Sequence, residues 1–274
     1  MTGAVCPPGK IPEGVKPQDF AVFASILPEG KYDLVKAFQK SRHAVGMCGD
    51  GAKSAAGVVL TEAGLGGIVA AVKEGRVTFQ RILTYTLNSV MKKILQVLLL
   101  VVGLIMTGHA VLTPMLMVIV MISGDFLAIS LTTDRVQPSK LPNSWQVGRI
   151  SIAGVLMGVC FLVFSTAILA VGKFELHIGI EALRTMCVVG IVFGSQATTY
   201  VIRGRQHPWG LRPSLFLVLS SVADLLIIST LAVCGIAMAP LTLSIIASEF
   251  AAAIVFGLLM DVVKIPLFTR LNIS

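Results

Sequence analysis

Charge is what this chain has least of. Asp, Glu, Lys and Arg make up 13% of its 274 residues, against 55% hydrophobic residues, and its mean hydropathy is +0.87. A soluble globular domain carries about a quarter charged residues, so the shortage excludes an ordinary water-exposed domain and places most of the chain in lipid. Cys6, Cys48, Cys160, Cys187 and Cys234 show no CxxC spacing and no neighbouring His cluster. That pattern points to neither a zinc site nor a disulfide framework, and the last three lie in apolar runs where cysteine acts as a small hydrophobe. The opening residues, MTGAVCPPGKIPEG, lack an apolar core of signal-peptide length, so insertion is expected to be driven by internal spans. No internal repeat is visible, which leans against an inverted-repeat carrier, and low-complexity sequence is absent.

What is present is a series of six apolar runs, placed near 91–108, 114–131, 150–172, 183–202, 214–235 and 240–263. Each is long enough, at about 1.5 Å per residue, to cross a hydrocarbon core with help from flanking residues. Lys92 and Lys93 sit at the start of the first and would anchor it at the interface by snorkelling. The excess of basic over acidic residues gives a net charge of +8. It reads as membrane orientation rather than nucleic-acid binding, because the cations fall in alternate loops. Arg135, Lys140 and Arg149 follow the second run, Arg203, Arg205 and Arg212 the fourth, and Lys264 and Arg270 the sixth. The intervening loops have no Lys or Arg, or balance Lys173 against Glu175 and Glu181. Short basic loops mark the cytoplasmic side, which puts both termini there. Trp145 and Trp209 fit interface anchors.

Ahead of the runs, residues 66–90 carry Ile68, Val72, Val77 or Phe79, and Leu83 near one face of an amphipathic helix, a stalk feeding the membrane. Residues 1–65 are mixed polar and apolar. A helix is expected around Lys31, Tyr32, Leu34, Val35, Ala37 and Phe38, and a short strand over Ala44 to Met47. So short a segment is marginal as a domain of its own.

Four segments, in order, resemble P-type ion-pumping ATPases. Val22-Phe23 through Pro28-Glu29-Gly30-Lys31 to Gln39 is similar to that family's VFAxVxPExKxxIVxxLQ stretch. GMCGDG follows, then VLTE with EGRVTFQRI, and SGDFLAISLTTDRV is similar to the NDGTIMTISKDRV of the plasma-membrane proton pumps. After Gly49-Asp50-Gly51 the family's NDAPAL is missing, and Ala52 passes directly to Lys53-Ser54-Ala55-Ala56.

The resemblance implies a mostly α protein: a partial α/β, Rossmann-like (HAD-type) phosphorylation domain over 1–65, the stalk over 66–90, six spans over 91–264, and a cytoplasmic tail over 265–274. It implies ATP and Mg²⁺ as cofactors. The catalytic Lys31 would contact the phosphoryl group, Asp50 would help hold the metal, and Gly49 and Gly51 would form the phosphate-site turn. The simpler reading keeps Lys31 as a solvated helix charge and Asp50 as a turn residue.

Acids inside apolar spans are costly and mark ion pathways or buried hydrogen bonds. Asp125, in the second run, is the candidate ion-translocation carboxylate, and by resemblance it matches the proton-binding aspartate of the family's sixth helix. Asp224 and Glu249 either serve the ion route, pair with Lys92 or Lys93, or make structural hydrogen bonds. Gln196 can join helices, His109 is a solvated loop residue, Gly154 and Gly158 allow close helix approach, and Pro114 opens the second span.

DKTGT, TGE and KGA-type signatures are absent, so the aspartyl-phosphate nucleophile of covalent phosphoryl transfer is missing. The expectation is the C-terminal part of an ATP-driven cation pump of the plasma membrane, carrying protons, inactive alone and partnered by lipid and by the missing N-terminal half. The alternative is a passive six-helix carrier, channel or assembly subunit.

Overall fold

In the computed structural model the described residues are 5–6, 20, 22–23, 26, 28–43, 45–46, 66–139, 146–204 and 212–271. The chain divides into two compact units, Met1–Ala70 and Ala71–Ser274.

In the first unit, β1 (Val5–Cys6) and β2 (Val22–Phe23) pair in parallel, Val5 with Val22 and Cys6 with Phe23. Helix α1 (Pro28–Lys40) follows. Its start at Pro28 is expected, since proline fixes a helical φ and its missing amide is not needed in the first turn. Val35 is buried and Phe38 meets Phe23 edge to face, ring centres 6.0 Å apart. The strand expected over Ala44–Met47 is not formed at its described residues: Val45 and Gly46 have no strand partner. Its other two residues lie outside the description. Two strands of two residues are all that is seen of the expected Rossmann-like sheet among the described residues.

The second unit is a bundle of helices. Six helices are long and apolar enough to cross a membrane among the described residues: α2 (Gly66–Thr107), α3 (Pro114–Leu131), α4 (Val147–Ala170), α5 (Ile180–Arg203), α6 (Leu215–Cys234) and α7 (Leu243–Leu271). Stalk and first run are one continuous helix of 42 residues, because no proline or capping signal interrupts them. Leu83, Leu87, Met91, Leu95 and Leu99 recur every fourth residue and bury one stripe of it. Ile68 and Val72, assigned above to that face, are exposed. They precede the stretch that packs on the bundle. Helix α7 runs on through Pro266 to Leu271, where residues 265–274 were expected to be a tail.

Local signals explain the ends. Thr113 caps α3 through its side chain, accepting from the Leu116 amide, with Pro114 in the first turn. Ser214 caps α6 in the same way, and Gly235, at φ 68°, closes it in the left-handed conformation that favours glycine. A π turn, Val171–Glu175, ends α4. From it Lys173 donates to the Met106 carbonyl at the end of α2, while Arg184 donates to Ala110 O at 2.9 Å. Cations at orphan carbonyls stabilise helix C-termini.

Helix α5 is the centre, with every residue from Thr185 to Gln196 buried. Gly154 and Gly158 admit α2: a Cβ at Gly154 would lie 2.7 Å from Val90 Cγ1, and one at Gly158 would lie 3.2 Å from the Met91 carbonyl. The small-residue pair therefore packs inside the bundle. Gly194 is tighter, since a Cβ there would come within 2.3 Å of the Phe161 ring. Phe161 is fully buried and stacks with Phe256, so it has nowhere to turn. Gly194→Ala is expected to cost about 1–3 kcal/mol by overpacking, read as a lowered unfolding midpoint in detergent. Gly148→Ala, with open space around it, serves as the control.

Candidate functional site

Helices α2, α3 and α5 line a cavity of about 260 Å³ in which polar and charged side chains stand among apolar ones. Asn88, Lys92 and Gln96 stand four apart on α2, so they share one face. They meet Ser123, Gly124 and Asp125 of α3 and Ser195 and Gln196 of α5. Lys93 also lines it.

Asp125 stands at this cavity, exposed, and accepts no hydrogen bond from a described residue. Lys92 is not an outward-pointing anchor. The helix it belongs to begins far upstream, and its side chain turns into the cavity, where Nζ lies 3.7 Å from the position a Gly124 Cβ would take. The charged side chains around it are Asp224 of α6, Asp125 of α3 and Lys93 of its own helix.

Asp224 is buried on α6 behind Ser123 and Gln196. Its Oδ2 accepts from Ser123 Oγ at 2.8 Å and from Gln196 Nε2 at 2.6 Å. This acid joins α3, α5 and α6 by hydrogen bonds, and Gln196 bridges two helices as expected. Asn88 adds a tie from α2 to α5, donating to Thr199 Oγ1 at 2.6 Å. Glu249 is apart from these groups: it is buried on α7, and neither carboxylate oxygen has a hydrogen-bond partner among the described residues.

Lys31 lies half-buried in the first turns of α1. Gly49, Asp50 and Gly51 lie outside the described residues, as do Trp145, Trp209, Lys140 and Arg205. Among the described residues no group of three or more His, Cys, Asp or Glu gathers to hold a metal ion.

Sequence reasoning missed a hub just past the ends of α3 and α5. Asp134, buried just after α3, receives Arg203 Nε at 2.8 Å, Arg203 Nη2 at 3.0 Å and the Ser214 amide at 3.1 Å. Its backbone carbonyl accepts from Arg81 of α2 at 2.9 Å, and Arg76 reaches Ser139 O at 3.0 Å. Nearby, Lys264 is fully buried, donates to Val201 O and Gly204 O at 3.0 and 2.8 Å, and pairs with Asp261 at 2.7 Å. Arg203 and Lys264, which the sequence offers as loop charges, belong to α5 and α7 and are buried. Their signal is position, each being the first residue after an apolar run.

No protein-family model matches the chain. A protein of Methanocaldococcus jannaschii named "Putative cation-transporting ATPase" is 27% identical over 275 residues, covering 92% of this chain. The chain spans about a third of that relative's length, 34%. With six apolar helices in order and a similarity running through nearly all of them, this is a multi-pass membrane protein similar to a cation-transporting ATPase.

Proposed function

We propose that this chain is the C-terminal membrane portion of an ATP-driven cation pump of the P-type, with the α2–α3–α5 cavity as part of the ion route and Asp125 as its translocating carboxylate. The observation that carries the reading is the placement of Asp125 and the Lys92 side chain at one cavity, within helices rich enough in apolar residues to cross a membrane. An acid and an ammonium at membrane depth are costly against lipid. The exposed Asp125 and Lys93 therefore call for further protein on the α2–α3 side, supplied by the part of a longer pump outside this segment.

A proton is the cargo the charge arrangement favours. A built-in ammonium repels a metal cation approaching Asp125 but leaves a carboxyl free to take and release a proton. The phosphorylation machinery would use Lys31 toward the phosphoryl group and Asp50 toward Mg²⁺, with Gly49 and Gly51 shaping the turn. Mg²⁺ bound there would offset charge on transferring phosphate oxygens. The loop charges fit both termini on the cytoplasmic side, and the resemblance to plasma-membrane proton pumps makes the plasma membrane the proposed location.

The test is reconstitution in sealed vesicles. The chain alone is expected to show neither ATP hydrolysis nor ATP- and Mg²⁺-dependent proton uptake. Combined with a polypeptide supplying DKTGT and the first four spans, it is expected to restore uptake. Proton or alkali-cation flux through the chain alone, without ATP and lost in Asp125→Asn, would instead establish the passive carrier or channel.

A further inference from the structure

Glu249 is the least explained polar group in the bundle. It is 3% exposed, and neither Oε1 nor Oε2 has a hydrogen-bond partner among the described residues. Buried polar groups are paired in the great majority of cases, and an unpaired charge in an apolar interior costs far more than an unpaired neutral group. The surroundings offer no compensation. On α5, Oε2 lies 3.8 Å from where a Gly190 Cβ would stand, and that space is shared with Ile168 Cδ1 of α4, 2.7 Å from the same point. The titratable neighbour on α5 is the buried thiol of Cys187, one turn away. No charged side chain acts on Glu249 from α4, α5 or its own helix among the described residues. One level over, Phe193 and Phe250 meet edge to face at 5.7 Å and close the α5–α7 contact. Ser165, facing into the bundle from α4, is likewise buried with its hydroxyl unpartnered.

This place is separate from the Asp125 cavity. The cavity takes Ser195 and Gln196 of α5, whereas Glu249 meets Gly190 and Cys187. At about 100° per residue, Gly190 and Ser195 point to faces roughly 140° apart. The gap left by Gly190 is filled by Ile168, and the carboxyl lies at its edge.

We propose that Glu249 is a second proton-binding site, a carboxyl that holds a proton in the closed α4–α5–α7 contact. The ligand is a proton and not a metal cation, because the contact supplies one carboxyl and apolar neighbours rather than a ring of oxygens. Binding forms the O–H bond with a proton taken from water, and the neutral acid removes the uncompensated charge. The inference does not depend on the pumping reading and concerns the folded chain alone.

The experiment is infrared spectroscopy of the purified full chain in lipid nanodiscs near neutral pH, in H₂O and D₂O. The expected result is a carboxylic-acid C=O band that moves to lower frequency in D₂O, moves again when glutamate carries ¹³C at its side-chain carboxyl, and disappears in Glu249→Gln. Because Gln keeps the shape of the neutral acid, that variant is expected to fold. The labelled wild type assigns the band to a glutamate without any substitution, and Glu249 is the buried one among the described residues. A wild-type spectrum with no glutamate-dependent acid band would overturn the proposal. So would a band that survives unchanged in Glu249→Gln.

Discussion

Replacing Arg203 by Met is expected to destabilise the folded chain by about 3–5 kcal/mol, the cost of leaving a buried partner uncompensated. Asp134 and Arg203 have side chains 1% and 3% exposed, so water cannot take over when one is removed. In the variant, Asp134 keeps the Ser214 amide at 3.1 Å and loses both guanidinium contacts. The loss spreads because Asp134 also fixes where α3 ends and α6 begins, while its carbonyl holds Arg81 of α2. Unfolding in graded denaturant, in mixed micelles, measures it. The double variant Asp134→Asn/Arg203→Met is expected to recover part of the loss, since it removes the orphaned charge but keeps an acceptor for Ser214. A double-mutant cycle gives the coupling. By contrast, Glu74 meets Arg81 at 3.7 Å with 71% of its side chain exposed, and Glu74→Ala is expected to change stability by less than about 1 kcal/mol.

The second large effect is on selectivity. Lys92→Met removes the ammonium beside Gly124 and Asp125 while keeping an unbranched side chain to fill the cavity wall. In the assembled pump this is expected to raise the affinity of alkali cations for the Asp125 site by at least about tenfold, the equivalent of 1.4 kcal/mol of lifted repulsion. The change is read as new inhibition of proton uptake by Na⁺ or K⁺. Lys93→Met is the comparison. Lys93 is exposed, and its charge acts against Lys92 rather than sitting beside Gly124, so its removal is expected to change alkali-cation affinity much less. Equal responses in the two variants would mean that Lys92 has no special relation to the carboxylate.

The spans were legible in the sequence because lipid permits little else. A long apolar stretch has to satisfy its backbone hydrogen bonds internally, so length and composition locate the helix. The join between stalk and first span was not legible, because hydropathy changes at Lys92-Lys93 while helix propensity does not. Asp125 and Lys92 could be singled out as charges in apolar surroundings, but their meeting at one cavity depends on α2 and α3 packing with Gly124 between them. Asp224 and Glu249 looked alike in sequence. One accepts two hydrogen bonds and the other none, a difference set by which helix each faces. Asp134 and Arg203 are 69 residues apart in sequence, so nothing local announces their pairing. The short N-terminal segment was the hardest to read, since a strand needs a partner and Val45 and Gly46 have none.

The most direct measurement of the account is ATP-driven proton uptake by vesicles holding this chain joined to the phosphorylation and first membrane segments, compared with its Asp125→Asn variant. Asp125 makes no hydrogen bond with a described residue, so the substitution is expected to leave the folding of this chain unchanged, and assembly is checked by co-purification of the joined segments. Uptake is expected to fall to the level of protein-free vesicles. Uptake that persists in Asp125→Asn at the unsubstituted rate would contradict the assignment of the α2–α3–α5 cavity as the ion route.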